Sequence, residues 1–246
     1  MDRLLYVAMS GAKQTLLAQA ANNHNLANAN TTGFKADLTA FQNQAVTGPG
    51  YASRVYATDA STGWDSSTGP QITTGNPLDV AIQGQGWIAV QDPTGNEAYT
   101  RAGDLHVDAN GQLLTANGLP VMDGNGPIAV PPFSSINVGG DGTISIVPQG
   151  STSQNLATVT QIKLVNPGTG SIQRGADGLY RTTNGQPADP DTGVTLASGV
   201  VEGSNVDLAN SMVNMIELSR HFELQIKALQ TADQDAQSST KLLSSS

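Results

Sequence analysis

Apolar positions near the start of the chain recur in steps of three and four at Leu5, Met9, Ala12, Leu16 and Ala20, with Ala27 a double step of seven further on and Leu4, Ala8 and Leu26 beside them. Between residues 2 and 29 the only glycine is Gly11 and there is no proline. This period predicts an amphipathic helix, about 40 Å long at a rise of 1.5 Å per residue. The far end carries the most regular pattern in the chain. Leu208, Met212, Met215, Ser219, Phe222, Ile226, Leu229, Asp233, Ala236, Thr240 and Leu243 alternate steps of four and three, the spacing of a coiled-coil seam. Val206, Ala209, Val213 and Ile216 widen the apolar face in its first half. Ser204 or Asn205 is the expected cap, with Asp207 near the positive end of the helix dipole.

Between these helices the texture changes. Short β-branched runs such as Val80-Ala81-Ile82, Trp87-Ile88-Ala89-Val90 and Thr143-Ile144-Ser145-Ile146-Val147 alternate with Asn110-Gly111, Asn117-Gly118, Asp123-Gly124, Asp141-Gly142 and Asn184-Gly185. Asn-Gly and Asp-Gly pairs tolerate the positive φ of tight hairpins, so residues 76–203 read as a compact all-β domain. Residues 36–75 are rich in Thr, Ser, Ala and Gly with little periodicity and read as an extended connector. The expected class is α+β. Residues 1–35 and 204–246 form paired terminal helices, a coiled-coil-like tube element, around the central β domain.

Each helix must bury its stripe, and pairing the two is the simplest way. A single hairpin of helices covers only part of stripes this wide, so the remainder calls for neighbouring subunits. The residues expected at that assembly interface are Leu5, Met9, Leu16, Asn22, Asn23, Leu26, Asn28, Met212, Met215, Phe222, Ile226 and Leu229. The asparagines, joined by Asn25 and Asn30, admit two readings: they end the helix by satisfying its last carbonyls, or they bond across a subunit boundary.

Composition narrows the function classes. Aromatic residues make up 4% of the chain, so the core is aliphatic. The net charge is −9, from 11 basic and 20 acidic residues with no Lys/Arg cluster, which removes the electrostatic footprint of a nucleic-acid binder. There is no cysteine, which excludes disulfides and thiolate chemistry. No apolar run approaches the ~20 residues of a membrane span. The apolar run Leu4–Met9 is shorter than a signal-peptide core, so the expectation is either residence in the cytoplasm or departure without a cleaved signal. His24, His106 and His221 lie in three different textures and form no ligand pair. Asp108-Ala109-Asn110-Gly111 and Asp123-Gly124-Asn125-Gly126 faintly resemble calcium loops but lack the remaining ligand spacing. Gly84-Gln85-Gly86 lacks the third glycine of a dinucleotide fingerprint. The expectation is a non-enzymatic chain with no catalytic residue, cofactor or metal.

Asn22-Asn23-His24-Asn25-Leu26-Ala27-Asn28-Ala29-Asn30-Thr31-Thr32-Gly33-Phe34-Lys35 resembles the N-terminal signature of the flagellar basal-body rod protein family, the rod and hook axial proteins. Thr74–Trp87, Tyr99-Thr100-Arg101-Ala102-Gly103-Asp104 and Gly126-Pro127-Ile128 resemble its β domain. Ser204-Asn205-Val206-Asp207, Met212–Ile216 and Arg220-His221-Phe222-Glu223 resemble its C-terminal helix. Trp87, where the pattern favours Phe, is a mild departure. The opening residues and the length look most like the proximal-rod type, with the distal-rod type as the alternative. A periplasmic β-domain adaptor with a coiled-coil tail is the reading outside the rod. The resemblance implies a structural subunit that polymerises through its terminal helices. It also implies export by the flagellar type III apparatus without signal cleavage. The partners implied are itself and proximal and distal rod neighbours, in the periplasmic rod of the basal body, without nucleic acid or membrane insertion.

Overall fold

The computed structural model describes residues 2–39, 41–45, 55–59, 63–150 and 156–244, and the side-chain surroundings of 6–39, 63–150, 156–168, 170–235, 237, 238, 240 and 241. The chain is α+β: helix α1 (Asp2–Ala27), a β-rich middle and helix α2 (Leu208–Ser244). It forms two compact units. One holds Met1–Ala29, Ala36–Asp65 and Val206–Ser246; the other holds Asn30–Lys35 and Ser66–Asn205.

In the helical unit α1 and α2 pack against each other. Asn22 near the end of α1 bonds to Ser211 near the start of α2. Gly11 lies against Gln225, where an added Cβ would come within 3.0 Å. The two helices are therefore antiparallel. On α1 the covered face is Ala8, Ala12, Thr15, Ala18 and Asn22, residues small enough for close backbone approach. The Thr15 hydroxyl is satisfied inside the helix by the Gly11 carbonyl at 2.9 Å.

The covered face of α2 is Ser211, Met215, Leu218, Phe222, Gln225, Leu229 and Ala232. It keeps the four–three alternation but lies beside the expected seam. Met215, Phe222, Ile226 and Leu229 are half-buried, whereas Leu208, Met212 and Ser219 are exposed. The physical reason is the partner surface: a strip of Ala and Thr leaves no holes for large knobs. Ala236 and Leu243 lie outside the described side chains. The cap is also displaced. Asp207 itself caps α2, accepting from the Asn210 amide at 3.1 Å and its side chain at 2.7 Å, while Ser204 and Asn205 belong to the β unit.

The stretch expected to be an extended connector carries ladders. Asp37–Leu38 pairs with Gly63–Trp64, and Phe41–Ala45 pairs antiparallel with Val55–Asp59. Their polar composition hides the alternation by which strands are recognised. Residues 36–65 cluster with the helices, and residues 30–35 and 66–75 with the β unit.

The β unit is built on a five-stranded antiparallel sheet in the order Leu164–Val165, Trp87–Gln91, Glu97–Thr100, Tyr180–Thr182, Ile172–Arg174. A three-stranded antiparallel sheet of Phe133–Val138, Thr143–Pro148 and Ala157–Gln161 adjoins it. Val80, Ile82, Ile88, Val90, Leu113, Val121, Ile144 and Ile162 are almost wholly excluded from water. The aliphatic core follows from the scarcity of aromatics. The loops with a faint calcium-site look are closed turns. Asp108 Oδ1 accepts from the amides of Asn110 and Gln112, and Asp123 Oδ1 from those of Asn125 and Gly126. Gly111 at φ +81° supplies the left-handed position of the first turn.

Candidate assembly surface

Pairing through these faces leaves several large apolar side chains of both helices uncovered. On α1, Tyr6, Met9, Leu16 and Leu17 are exposed, Met9 by 56% and Leu16 by 49%. On α2, Leu208, Met212, Val213, Ile216 and Leu224 are exposed, Met212 by 50% and Ile216 by 56%. At 3.6 residues per turn each set occupies the flank of its helix away from the covered face. Large contiguous apolar patches on a protein surface are uncommon unless they serve contact with a partner, which makes these side chains the candidate assembly surface.

The residues expected at the interface therefore divide. Met9, Leu16 and Met212 lie on the uncovered flanks, and Asn23 is exposed. Met215, Phe222, Ile226 and Leu229 are half-buried, and Leu26 likewise. The side chain of Leu5 lies outside the described residues. Asn22 is buried, its amide donating to the Ser211 carbonyl at 2.8 Å. Asn28 donates to the His24 carbonyl at 2.9 Å and so takes the helix-ending role. Asn25 bonds both backbone groups of Asp37, accepting from its amide at 2.7 Å and donating to its carbonyl at 3.0 Å. His24 Nδ1 lies 2.6 Å from Asp37 Oδ2. Tyr6, Leu17 and Leu224 lie outside the stripes traced by the periodic positions, so periodicity alone does not mark them.

A second constellation lies within the β unit, and no sequence motif marks it. Glu202 is buried between two cations. Lys35 Nζ meets its Oε1 at 2.6 Å and Arg101 Nη1 meets its Oε2 at 2.8 Å. Lys35 Nζ also donates to the Ser67 carbonyl at 2.6 Å, Arg101 Nη2 to the Gly84 carbonyl at 2.8 Å, and the Gly69 amide to Glu202 Oε1 at 3.0 Å. All three side chains are at most 2% exposed. The Arg101 guanidinium stands 5.4 Å from the centroid of Trp87, a cation–π distance. Burial alone pushes the Glu202 carboxyl up, but the Lys35 hydrogen bond, the Arg101 charge and the Gly69 amide together hold it below its usual range. Removing one partner of such a cluster costs about 3–5 kcal/mol, because a charge is left buried and unpaired. Lys35 and Glu202 are 167 positions apart in sequence, so no local pattern reveals the pair.

A second ionic bridge lies at the sheet. Arg181 spans Asp92 and Asp177, with Nη2 at 2.7 Å from a carboxylate oxygen of each. The Arg181 hydrogen bond, and then those of Thr94, hold Asp92 far below the usual carboxylate range. Among the described residues no group of three or more His, Cys, Asp or Glu is placed to hold a metal ion, and no helix is long and apolar enough to cross a membrane.

Comparison with known proteins gives three family matches in chain order. Residues 5–35 match the family described as "Flagella basal body rod protein". Residues 81–146 match "Flagellar hook protein FlgE/F/G D1 domain", and residues 197–242 match "Flagellar basal body rod FlgEFG protein C-terminal". Each segment carries one member of the buried cluster: Lys35, Arg101 and Glu202 respectively. The chain is 42% identical to the flagellar basal-body rod protein FlgF of Escherichia coli (strain K12) over 252 residues, covering 100% of both chains. Identity to FlgF of Salmonella typhimurium is 41%, also over the full length of both. Identity to the flagellar basal-body rod protein FlgG of Bacillus subtilis is 34%, over 95% of this chain and 96% of that one. A chain matched along its whole length by such relatives, and by family segments at both helices and the β unit, belongs to the flagellar basal-body rod protein family.

Proposed function

We propose that this protein is a structural, non-enzymatic subunit of the proximal rod, polymerising through its terminal helices into the axial shaft of the flagellum. The observation that carries this reading is full-length similarity to FlgF proteins in a chain whose two helices leave large apolar side chains in water. A stable monomer gains nothing from Met9, Leu16, Met212, Val213 and Ile216 in that position, whereas a polymer buries them at each repeat. On this reading the helices pair as a coiled-coil-like element of an inner tube, and the β domain packs outside it. Met9, Leu16, Asn23 and Met212 then face neighbours, while Met215, Phe222, Ile226 and Leu229 divide their contacts between α1 and the next subunit. The partners are further copies and adjoining rod proteins. Export by the flagellar type III apparatus without signal cleavage delivers the chain to the periplasmic rod.

The test is quantitative mass spectrometry of purified hook–basal bodies. A few copies per structure support the proximal rod. Several-fold more move the chain to the distal rod. Absence from a well-assembled rod overturns the structural reading and favours a periplasmic adaptor.

A further inference from the structure

We infer that Lys35, Arg101 and Glu202 form a mechanical clamp, loaded in shear, at the place where the chain enters and leaves the β unit. The chain first enters this unit at Asn30, passes out of it between Lys35 and Ser66, and finally leaves it at Asn205. The two segments lie side by side. The Gly33 amide donates to the Glu202 carbonyl at 2.7 Å, and the Asn205 amide donates to the Phe34 carbonyl at 3.3 Å. The partner numbers rise together, so the segments run in the same sense. Tension applied through the two chain ends then draws Asn30 and Asn205 away from opposite ends of this pairing. The segments must slide past each other, and their bonds are strained together rather than opened one after another.

The ion cluster sits on that sliding path. Lys35 belongs to the incoming segment and Glu202 to the outgoing one, and their 2.6 Å contact is the link that sliding breaks. Each is also tied to the body of the unit. Lys35 holds the Ser67 carbonyl, and Glu202 is gripped by Arg101, whose second nitrogen holds the Gly84 carbonyl. Glu202 is further fixed by the ladder of Val200–Glu202 with Gln71–Thr73. Neither segment can be drawn out without leaving a buried charge unpaired. Glycines permit the close approach this needs. A Cβ on Gly33 would fall 2.2 Å from the Arg101 backbone, and one on Gly69 would fall 2.0 Å from the Gly203 carbonyl. In a rod subunit, force passing along the chain from the inner ends of α1 and α2 meets the β unit first at these two segments. The use of the clamp therefore rests on the rod reading, whereas its geometry does not.

The experiment is single-molecule force spectroscopy of the full chain, tethered at its first and last residues, because forced rupture reports the unfolding barrier along the pulling direction. Lys35→Met and Glu202→Gln are compared with Val121→Ala, a cavity control in the aliphatic core. The expected result is a high-force rupture of the β unit in the unsubstituted chain, lost in Lys35→Met and Glu202→Gln but kept in Val121→Ala even where its melting temperature falls as far. Rupture force that merely follows melting temperature across the three variants overturns the clamp, as does an unchanged force in Lys35→Met. Should Glu202→Gln fail to fold, Lys35→Met still decides, since it leaves the Arg101–Glu202 pair in place. Because the measurement uses the purified chain, its failure is separate from absence of the protein in basal bodies, which would overturn the rod reading.

Discussion

The Asn22 side-chain amide donates to the carbonyl of Ser211 across 2.8 Å, a polar bridge joining the paired faces of α1 and α2. Both residues are buried, so the bond is protected from water. Asn22→Ala is expected to destabilise the helix pair by about 1–2 kcal/mol, the range for a lost buried hydrogen bond. Asn22→Asp is expected to cost more, because a carboxylate would face a carbonyl oxygen. Helical circular dichroism through a urea titration measures both. Equal stability of Asn22→Ala and the unsubstituted chain would show that the bridge contributes nothing.

Two substitutions on one helix separate folding from assembly. Ile216→Asp places a charge on the uncovered flank of α2 and is expected to leave the monomer's melting curve within about 0.5 kcal/mol of the original, as exposed substitutions do. It should nonetheless abolish incorporation into basal bodies. Leu218→Asp, on the face covered by α1, is expected to melt the helix pair first. Swarming on soft agar and the protein content of purified basal bodies read the outcome. Normal incorporation of Ile216→Asp would remove that flank from the interface.

Two glycines with nearly the same backbone angle should respond differently to alanine. Gly118 sits at φ +75° with no neighbour within 4 Å of an added Cβ, whereas Gly33 sits at φ +69° with the Arg101 backbone 2.2 Å away. Gly118→Ala pays only the left-handed strain of an L-residue, about 1–2 kcal/mol. Gly33→Ala must also displace backbone beside a buried ion cluster and is expected to prevent the β unit from closing. Denaturant midpoints compare them, and similar values would show that the Gly33 site relaxes.

Acid stability carries a defined sign. Asp92 and Asp177 are both held below the usual carboxylate range, in each case first by the Arg181 hydrogen bond. A carboxyl lowered in the folded state contributes stability that is fully present above its unfolded pKa of about 4 and is lost as pH falls through the folded value. Melting temperature is therefore expected to fall steadily from about pH 5 downward. Asp92→Asn should lower it near neutrality and flatten the acid limb. A limb of unchanged steepness in Asp92→Asn would assign the acid sensitivity to other carboxylates.

The elements whose physics is local were legible in the residues themselves. The three–four periodicity of residues 5–27 and 208–229, and the Asn-Gly and Asp-Gly pairs between β-branched runs, specify helix, turn and strand through interactions a few residues apart, and α1, α2 and the β unit lie where those patterns stand. Strands of polar composition, such as Phe41–Ala45, lacked that signal. Which faces meet is set by the packing of the folded chain. Periodicity identifies an apolar stripe but not its partner, and the surface presented by α1 is small, so Ala8, Ala12, Thr15 and Ala18 are covered while Met9 and Leu16 stay in water. The same holds for Lys35, Arg101 and Glu202. Each looks like an ordinary charge in its own segment, and burial becomes tolerable only when the fold brings opposite charges from three distant segments within hydrogen-bonding range, a condition set by global chain path rather than by any neighbouring residue.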